Sequence, residues 1–91
     1  MWIHDMFGAD KPIIALLHLD ALPGDPGFCG DMDVVLDHAA HDLTALQDGG
    51  VDGILIANEF SLPYQPVADI AVISAMAYII GKLKDRIRVP F

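Results

Sequence analysis

The sequence predicts an α/β fold built on parallel strands. Two short apolar runs, residues 13–17 and 53–57, lack the alternation of half-exposed strands, and such runs are typical of strands buried on both faces. Between them lies a stretch with helical spacing of apolar residues, long enough for the crossover that parallel strands require. A second helical stretch follows the second run, and this alternating order indicates a parallel sheet, either a doubly wound open sheet or an eightfold barrel.

Composition and charge narrow the range of partners. The chain has 91 residues, enough for one small domain, and 54% of them are apolar. That fraction is high for a soluble domain, which indicates a partner surface or a missing remainder. The net charge of -8 repels phosphate backbones and anionic lipids, so nucleic acid and membrane surfaces are poor partners.

Cysteine usage and hydropathy predict a cytoplasmic protein without a membrane span. Cys29 is the only cysteine and cannot form an internal disulfide. The first residues lack the features of a signal peptide, and the apolar run 70–83 is too short to cross a bilayer. Cys29 lies in an acidic loop, which disfavours the thiolate, so we expect it to be inert.

The first half of the chain contains the first strand and a long loop. Residues 1–11 are predicted to be an irregular lead-in, and His18 follows the apolar run 13–17 at its end. Residues 19–30 are rich in Pro, Gly and Asp and form a loop longer than the usual connection of about 2–6 residues. Such loops are often functional, and the alternative is an unspecialised connection.

A helix is predicted from residue 32 to about residue 48, with Asp31 or Asp33 as its N-cap. Gly49 and Gly50 supply the left-handed residue that ends it. The apolar stripe of this helix repeats at spacings of 4, 4 and 3, through Val35, Ala39, Leu43 and Leu46. After the strand 53–57, we expect a loop over 58–66, a second helix over 67–85 that is apolar on more than one face, and entry into a third strand at 88–91.

The candidate site residues follow the two predicted strands. Carboxyl ends of neighbouring parallel strands meet at one edge of the sheet, which groups His18 and Asp20 with Asn58 and Glu59. An imidazole and a carboxylate there can act as acid and base, or as metal ligands. The structural alternative is that His18 binds a backbone carbonyl, Asp20 caps the loop and Glu59 caps the next turn.

A metal site on the first long helix is the weaker hypothesis. His38 and His41 are three residues apart and can reach one metal ion, but the spacing suggests no third ligand. Both lie opposite the apolar stripe, so we expect a solvated face.

Several motifs resemble the BtpA/SgcQ family. They are Pro12-Ile13-Ile14-Ala15-Leu16-Leu17-His18-Leu19, then Ala21-Leu22-Pro23-Gly24-Asp25-Pro26, Leu46-Gln47-Asp48-Gly49-Gly50-Val51-Asp52-Gly53 and Asn58-Glu59-Phe60-Ser61-Leu62-Pro63-Tyr64. The last motif looks most like the SgcQ branch. The resemblance implies a (β/α)8 TIM barrel of about 260 residues, of which residues 1–91 are an N-terminal fragment holding a β-α-β-α-β(start) portion.

The resemblance also implies two functions. The SgcQ branch points to a nucleosidase or another enzyme of sugar metabolites, and the BtpA branch to a non-catalytic factor in photosystem I biogenesis. By position, His18, Asn58 and Glu59 are the catalytic candidates of the full-length parent and Asp20 is a substrate-binding candidate. The resemblance identifies no cofactor and no metal ligand. A fragment exposes strand edges and apolar faces, so alone it should be unstable, inactive or self-associated, in need of the missing remainder.

Overall fold

The computed structural model describes residues 2–58 and 70–91. The described elements alternate between helix and strand, which confirms the α/β class. In chain order they are α1 (Trp2–Phe7), β1 (Ile14–His18), α2 (Met32–Asp48), β2 (Gly53–Ala57), α3 (Ile70–Leu83) and a 3₁₀ helix (Lys84–Arg86). Within these ranges, no helix is long and apolar enough to cross a membrane.

The two strands form a parallel pair, as the sequence predicts. Ile14 lies opposite Gly53 at one end of the pair, and His18 lies opposite Ala57 at the other. The backbone N–H of Ile13 donates to the Asp52 carboxylate at 2.9 Å, which fixes the start of β1. On the far edge of β2, the N–H of Ile54 donates to the carbonyl of Pro90 at 2.9 Å. The chain after α3 therefore arrives beside β2, where the sequence predicts entry into a third strand.

One face of the sheet belongs to the hydrophobic core. Leu17 of β1 and Ile54 of β2 are buried in a single cluster with residues of α2 and α3. The predicted stripe of α2 is confirmed, since Val35, Ala39 and Leu43 are buried and Leu46 is partly buried against them. The contribution of α3 to the core consists of Val72, Ala75, Ile79 and Leu83.

The other face of the sheet is largely exposed beyond its start, where the Phe7 ring lies over Gly53. Successive strand residues point to opposite faces, and paired residues of parallel strands point to the same one. Ile14 and Leu16 are each 51% exposed and Leu55, the partner of Leu16, is 56% exposed. We call these three side chains the bare sheet face. Large apolar residues half exposed in the middle of both strands show that this surface is apolar yet uncovered.

The boundaries of α2 follow from its caps. The Asp31 carboxylate accepts a hydrogen bond from the N–H of Asp33 at 2.9 Å, so Asp31 is the N-cap. At the other end Gly50 has a φ of +88°, the left-handed conformation that glycine adopts at little cost.

The prediction of an irregular lead-in over residues 1–11 is wrong, because Trp2–Phe7 is helical. Its apolar residues recur at helical spacing, and the helix delivers the Phe7 ring to Gly53 at the start of β2. A Cβ on Gly53 would lie 2.7 Å from Cε1 of Phe7. In the described part of the chain, the second long helix begins at Ile70. It ends at Leu83 rather than at residue 85, because a 3₁₀ helix begins at Lys84.

Candidate functional site

The carboxyl ends of the two strands lie side by side, which brings three of the predicted site residues to one edge. His18 is the last residue of β1 and its register partner Ala57 is the last residue of β2. The N–H of Leu19 donates to the carbonyl of Ala57 at 2.8 Å, so the pairing continues one residue beyond β1. Asp20 and Asn58 therefore leave the sheet at the same edge, and both are half-buried. Glu59 lies outside the described residues.

His18 lies on the side of the bare sheet face. It follows Leu16 by two residues in the same strand, so their side chains point the same way. Its register partner is Ala57, the last residue of β2. An open depression of about 310 Å³ lies along β1, lined by Leu16, Leu17, His18, Asp42, Ala45 and Leu46. An imidazole that lines such a depression can transfer a proton to or from a small molecule held there.

Asp20 contacts His38, which the sequence places on the solvated face of α2. Its carboxylate oxygen Oδ2 lies 2.5 Å from Nδ1 of His38 on α2, across 18 residues of sequence. The His38 side chain is 62% exposed and that of Asp20 is 38% exposed. His38 lies on a solvated face, as the sequence predicts, and is also hydrogen-bonded to the loop.

The loop that carries Asp20 is held by its buried neighbours. Leu19 and Leu22 are almost completely inaccessible and Ala21 is buried. A turn follows, in which the N–H of Asp25 donates to the carbonyl of Leu22 at 3.0 Å and the N–H of Leu22 donates to the Asp25 carboxylate at 3.1 Å. Asp20 is therefore presented from a fixed backbone rather than from an unspecialised connection.

Metal chemistry finds no support among the residues that the structure describes. Within 2–58 and 70–91, no three His, Cys, Asp or Glu side chains are arranged to hold a metal ion. His41 is exposed, as the sequence predicts. Cys29 is exposed and its thiol donates to the carbonyl of Asp31 at 3.5 Å.

Sequence reasoning missed one member of this site, His38. Its distance from the apolar stripe indicated solvent, and exposure is indeed high. The signal that could have identified His38 is the geometry of a crossover helix. A crossover helix runs back along the strand it follows, so a polar residue in its first turns can reach the loop just after that strand.

Comparison with known proteins places the chain in a family. The BtpA family pattern matches residues 9–91, which is nearly the whole chain. The chain belongs to the BtpA family. It is 49% identical over 92 residues to SgcQ, an sgc region protein of Escherichia coli K12. The match covers 99% of this chain and 34% of SgcQ.

Two further relatives show how wide the family is. The photosystem I biogenesis protein BtpA of Synechocystis is 35% identical over 91 residues, covering 99% of this chain and 32% of its own length. An uncharacterised protein of Pyrococcus horikoshii is 35% identical over 81 residues, covering 89% of this chain and 31% of its own. The chain thus spans about a third of the length of these relatives. No solved structure matches it significantly.

Proposed function

We propose that this chain forms the first part of a (β/α)8 barrel enzyme that cleaves or isomerises a small sugar-containing metabolite, with a nucleosidase reaction as the leading case. The observation that carries the proposal is the difference between the two faces of the sheet. Helices cover one face, while Ile14, Leu16 and Leu55 leave the other face apolar and half exposed. In a barrel, the outward side chains pack against helices and the inward ones against the remaining strands.

The order of the segments supports the same architecture. Pro90 bonds to the edge of β2 that β1 does not use, so the segments lie in chain order, β1, β2 and then residues 88–91. Neighbouring segments in chain order are what a barrel repeats around its whole circumference. The threefold greater length of the relatives leaves room for the other strands.

The proposed chemistry uses the carboxyl end of this wall. Barrel enzymes place their catalytic groups at that end of the strands. His18 lies there on the bare side of the sheet, and we assign it proton transfer together with Glu59. Asn58 would orient a substrate hydroxyl, and Asp20 would contribute to substrate binding from the loop. The roles of His18, Asn58 and Asp20 follow from their position and side-chain chemistry, and the role of Glu59 follows from its place in the sequence directly after Asn58.

The test uses a fusion in which residues 1–91 replace the matching third of SgcQ. Purified fusion and intact SgcQ are incubated with a panel of nucleosides and sugar phosphates, and products are separated by chromatography. We expect turnover by both, reduced about 10²–10⁴-fold by His18→Gln or Glu59→Gln. His41→Gln, on the exposed side of α2, is the matched control and should leave turnover unchanged. No turnover by either protein, or full turnover after His18→Gln, would contradict the proposal.

A second candidate is a non-catalytic assembly factor of the BtpA type. The observation that favours it is the surface of α3, where Ile70 is 80% exposed and Ile73 and Tyr78 are also exposed. Exposed apolar patches of this kind often bind other proteins. The gene neighbourhood separates the two candidates, because sugar transport genes favour the enzyme and photosynthetic genes favour the assembly factor.

A further inference from the structure

The contact between Asp20 and His38 fixes which ring nitrogen carries the proton. An ionised carboxylate only accepts hydrogen bonds, so the 2.5 Å contact to Nδ1 requires a hydrogen on Nδ1. In the neutral ring, the other nitrogen, Nε2, then keeps its lone pair. A lone pair at Nε2 makes His38 a proton acceptor on the side away from Asp20.

Both partners stand on backbone that is held in place by the core. Asp20 lies between Leu19, which is 1% exposed, and the buried Ala21. His38 precedes Ala39, which is 2% exposed, and follows the fully buried Val35 by three residues. A side chain whose neighbours are locked by packing loses little freedom when it forms a hydrogen bond, so the pair is preorganised.

The pair is also accessible from solvent. Most of the His38 side chain is exposed, and Asp20 emerges two residues after the end of β1. A small molecule in solvent can therefore reach the imidazole. An exposed imidazole can exchange protons with molecules that arrive from solvent.

We propose that Asp20 and His38 form a proton-transfer dyad for a hydroxyl-bearing small molecule, such as a sugar, or for water. The hydroxyl O–H bond breaks as a new N–H bond forms at Nε2, and the oxygen keeps the electron pair. The imidazolium that results lies against the Asp20 carboxylate, which balances its charge. The oxygen uses this electron pair to form a bond to a carbon of the substrate. The bond from that carbon to a leaving oxygen or nitrogen breaks, and the leaving atom keeps that bond's electron pair and takes the proton from Nε2. Asp20 is a positioning residue here, and the identity of the substrate class rests on the proposed function.

The first experiment reads the tautomer directly in the 91-residue chain. Long-range ¹H–¹⁵N correlation spectra of uniformly ¹⁵N-labelled protein distinguish the two neutral imidazole forms. We expect the Nδ1–H form for His38 and the more common Nε2–H form for the exposed His41. Asp20→Ala should return His38 to the Nε2–H form, whereas Asp37→Ala removes an exposed carboxylate from the same helix and should leave the tautomer unchanged.

The second experiment measures the reactivity of Nε2. Diethyl pyrocarbonate carbethoxylates imidazole nitrogens that keep a lone pair, and mass spectrometry of peptides gives a rate for each histidine. We expect His38 to react several-fold faster than His41, and Asp20→Ala but not Asp37→Ala to remove the difference. Far-ultraviolet circular dichroism of each variant shows whether the fold is retained.

An Nε2–H form for His38 in the unsubstituted protein, or equal reaction rates for His38 and His41, would overturn the dyad. Neither readout depends on turnover. The dyad can therefore fail while the barrel enzyme stands, and the barrel enzyme can fail while the dyad stands.

Discussion

At the scale of single residues, the start of β2 depends on a glycine. Phe7 of α1 lies over Gly53, and a Cβ at that position would come within 2.7 Å of Cε1 of the ring and 3.4 Å of the Pro90 carbonyl. Gly53 also donates its N–H to the carbonyl of Ile13 at 3.2 Å. The missing side chain thus allows an aromatic ring, β1 and the arriving third segment to meet at one point.

Gly53→Ala should destabilise the chain by about 1–3 kcal/mol, since the added methyl forces Phe7 off the strand. The measurement is urea unfolding followed by circular dichroism at one fixed protein concentration. Gly81→Ala is the matched control, because a Cβ there meets no atom within 4 Å and alanine favours the helix. That variant should be neutral or more stable. Equal midpoints for the two variants would show that Phe7 does not pack on Gly53.

The candidate site shows which residue contacts the sequence can predict. The position of His18 and Asp20 at a strand end follows from the apolar run and the turn residues after it. The contact of Asp20 with His38 does not, because it depends on the path of a loop between two elements. Periodicity assigns a residue to a face of its own helix and gives no information on what a neighbouring loop presents to that face.

At the scale of elements, one side chain joins α2 to the segment that follows the 3₁₀ helix. The amide of Gln47 donates to the carbonyl of Arg86 at 2.9 Å and accepts from the N–H of Arg88 at 2.6 Å. This double contact copies the pairing of a neighbouring strand and positions residues 86–88 before Pro90 reaches β2. The adjacent ion pair between Arg88 and Asp48 is longer, at 3.5 Å, and both side chains are largely exposed.

Gln47→Ala should lower the free energy of unfolding by about 1 kcal/mol, because two backbone groups lose their partner. Asp48→Ala, which removes only the exposed ion pair, should cost less than about 0.5 kcal/mol. Urea midpoints at a fixed protein concentration give both values. Hydrogen exchange at the Arg88 amide adds a local check, and it should accelerate in the first variant and not in the second. A larger loss from Asp48→Ala than from Gln47→Ala would contradict the assignment.

The elements themselves were predictable where their signals were local. The bounds of α2 and β2 match the prediction. Asp31 begins α2 as its N-cap and the left-handed Gly50 ends it, and both residue types are visible in the sequence. The short α1 was missed because its six residues carry no cap signal. Its ring contact with Gly53 is tertiary, and such contacts override weak local preference.

At the scale of the whole molecule, the core side of the sheet is covered by helices, whereas the bare sheet face is exposed to solvent. On the core side, seven large side chains among residues 2–58 and 70–91 are less than 2% exposed, so this side of the sheet is covered. The bare sheet face has large apolar groups half in water, and β1 has one edge without a pairing strand among the described residues. Both features favour association with more chain, from a second copy or from the rest of a longer protein.

The 91-residue chain on its own should therefore self-associate through the bare sheet face. Sedimentation velocity over a range of concentrations, with calorimetry, is the measurement. Leu16→Gln or Leu55→Gln each removes about 1.5 kcal/mol of apolar burial at the contact, which weakens association about tenfold. Ile70→Gln is the matched control, because that side chain is even more exposed but lies on α3. If the control weakened association as much, the helix face would be the contact instead. A monomer that melts cooperatively at all concentrations would contradict the prediction, because a two-sided sheet with one face in water would then be stable without a partner.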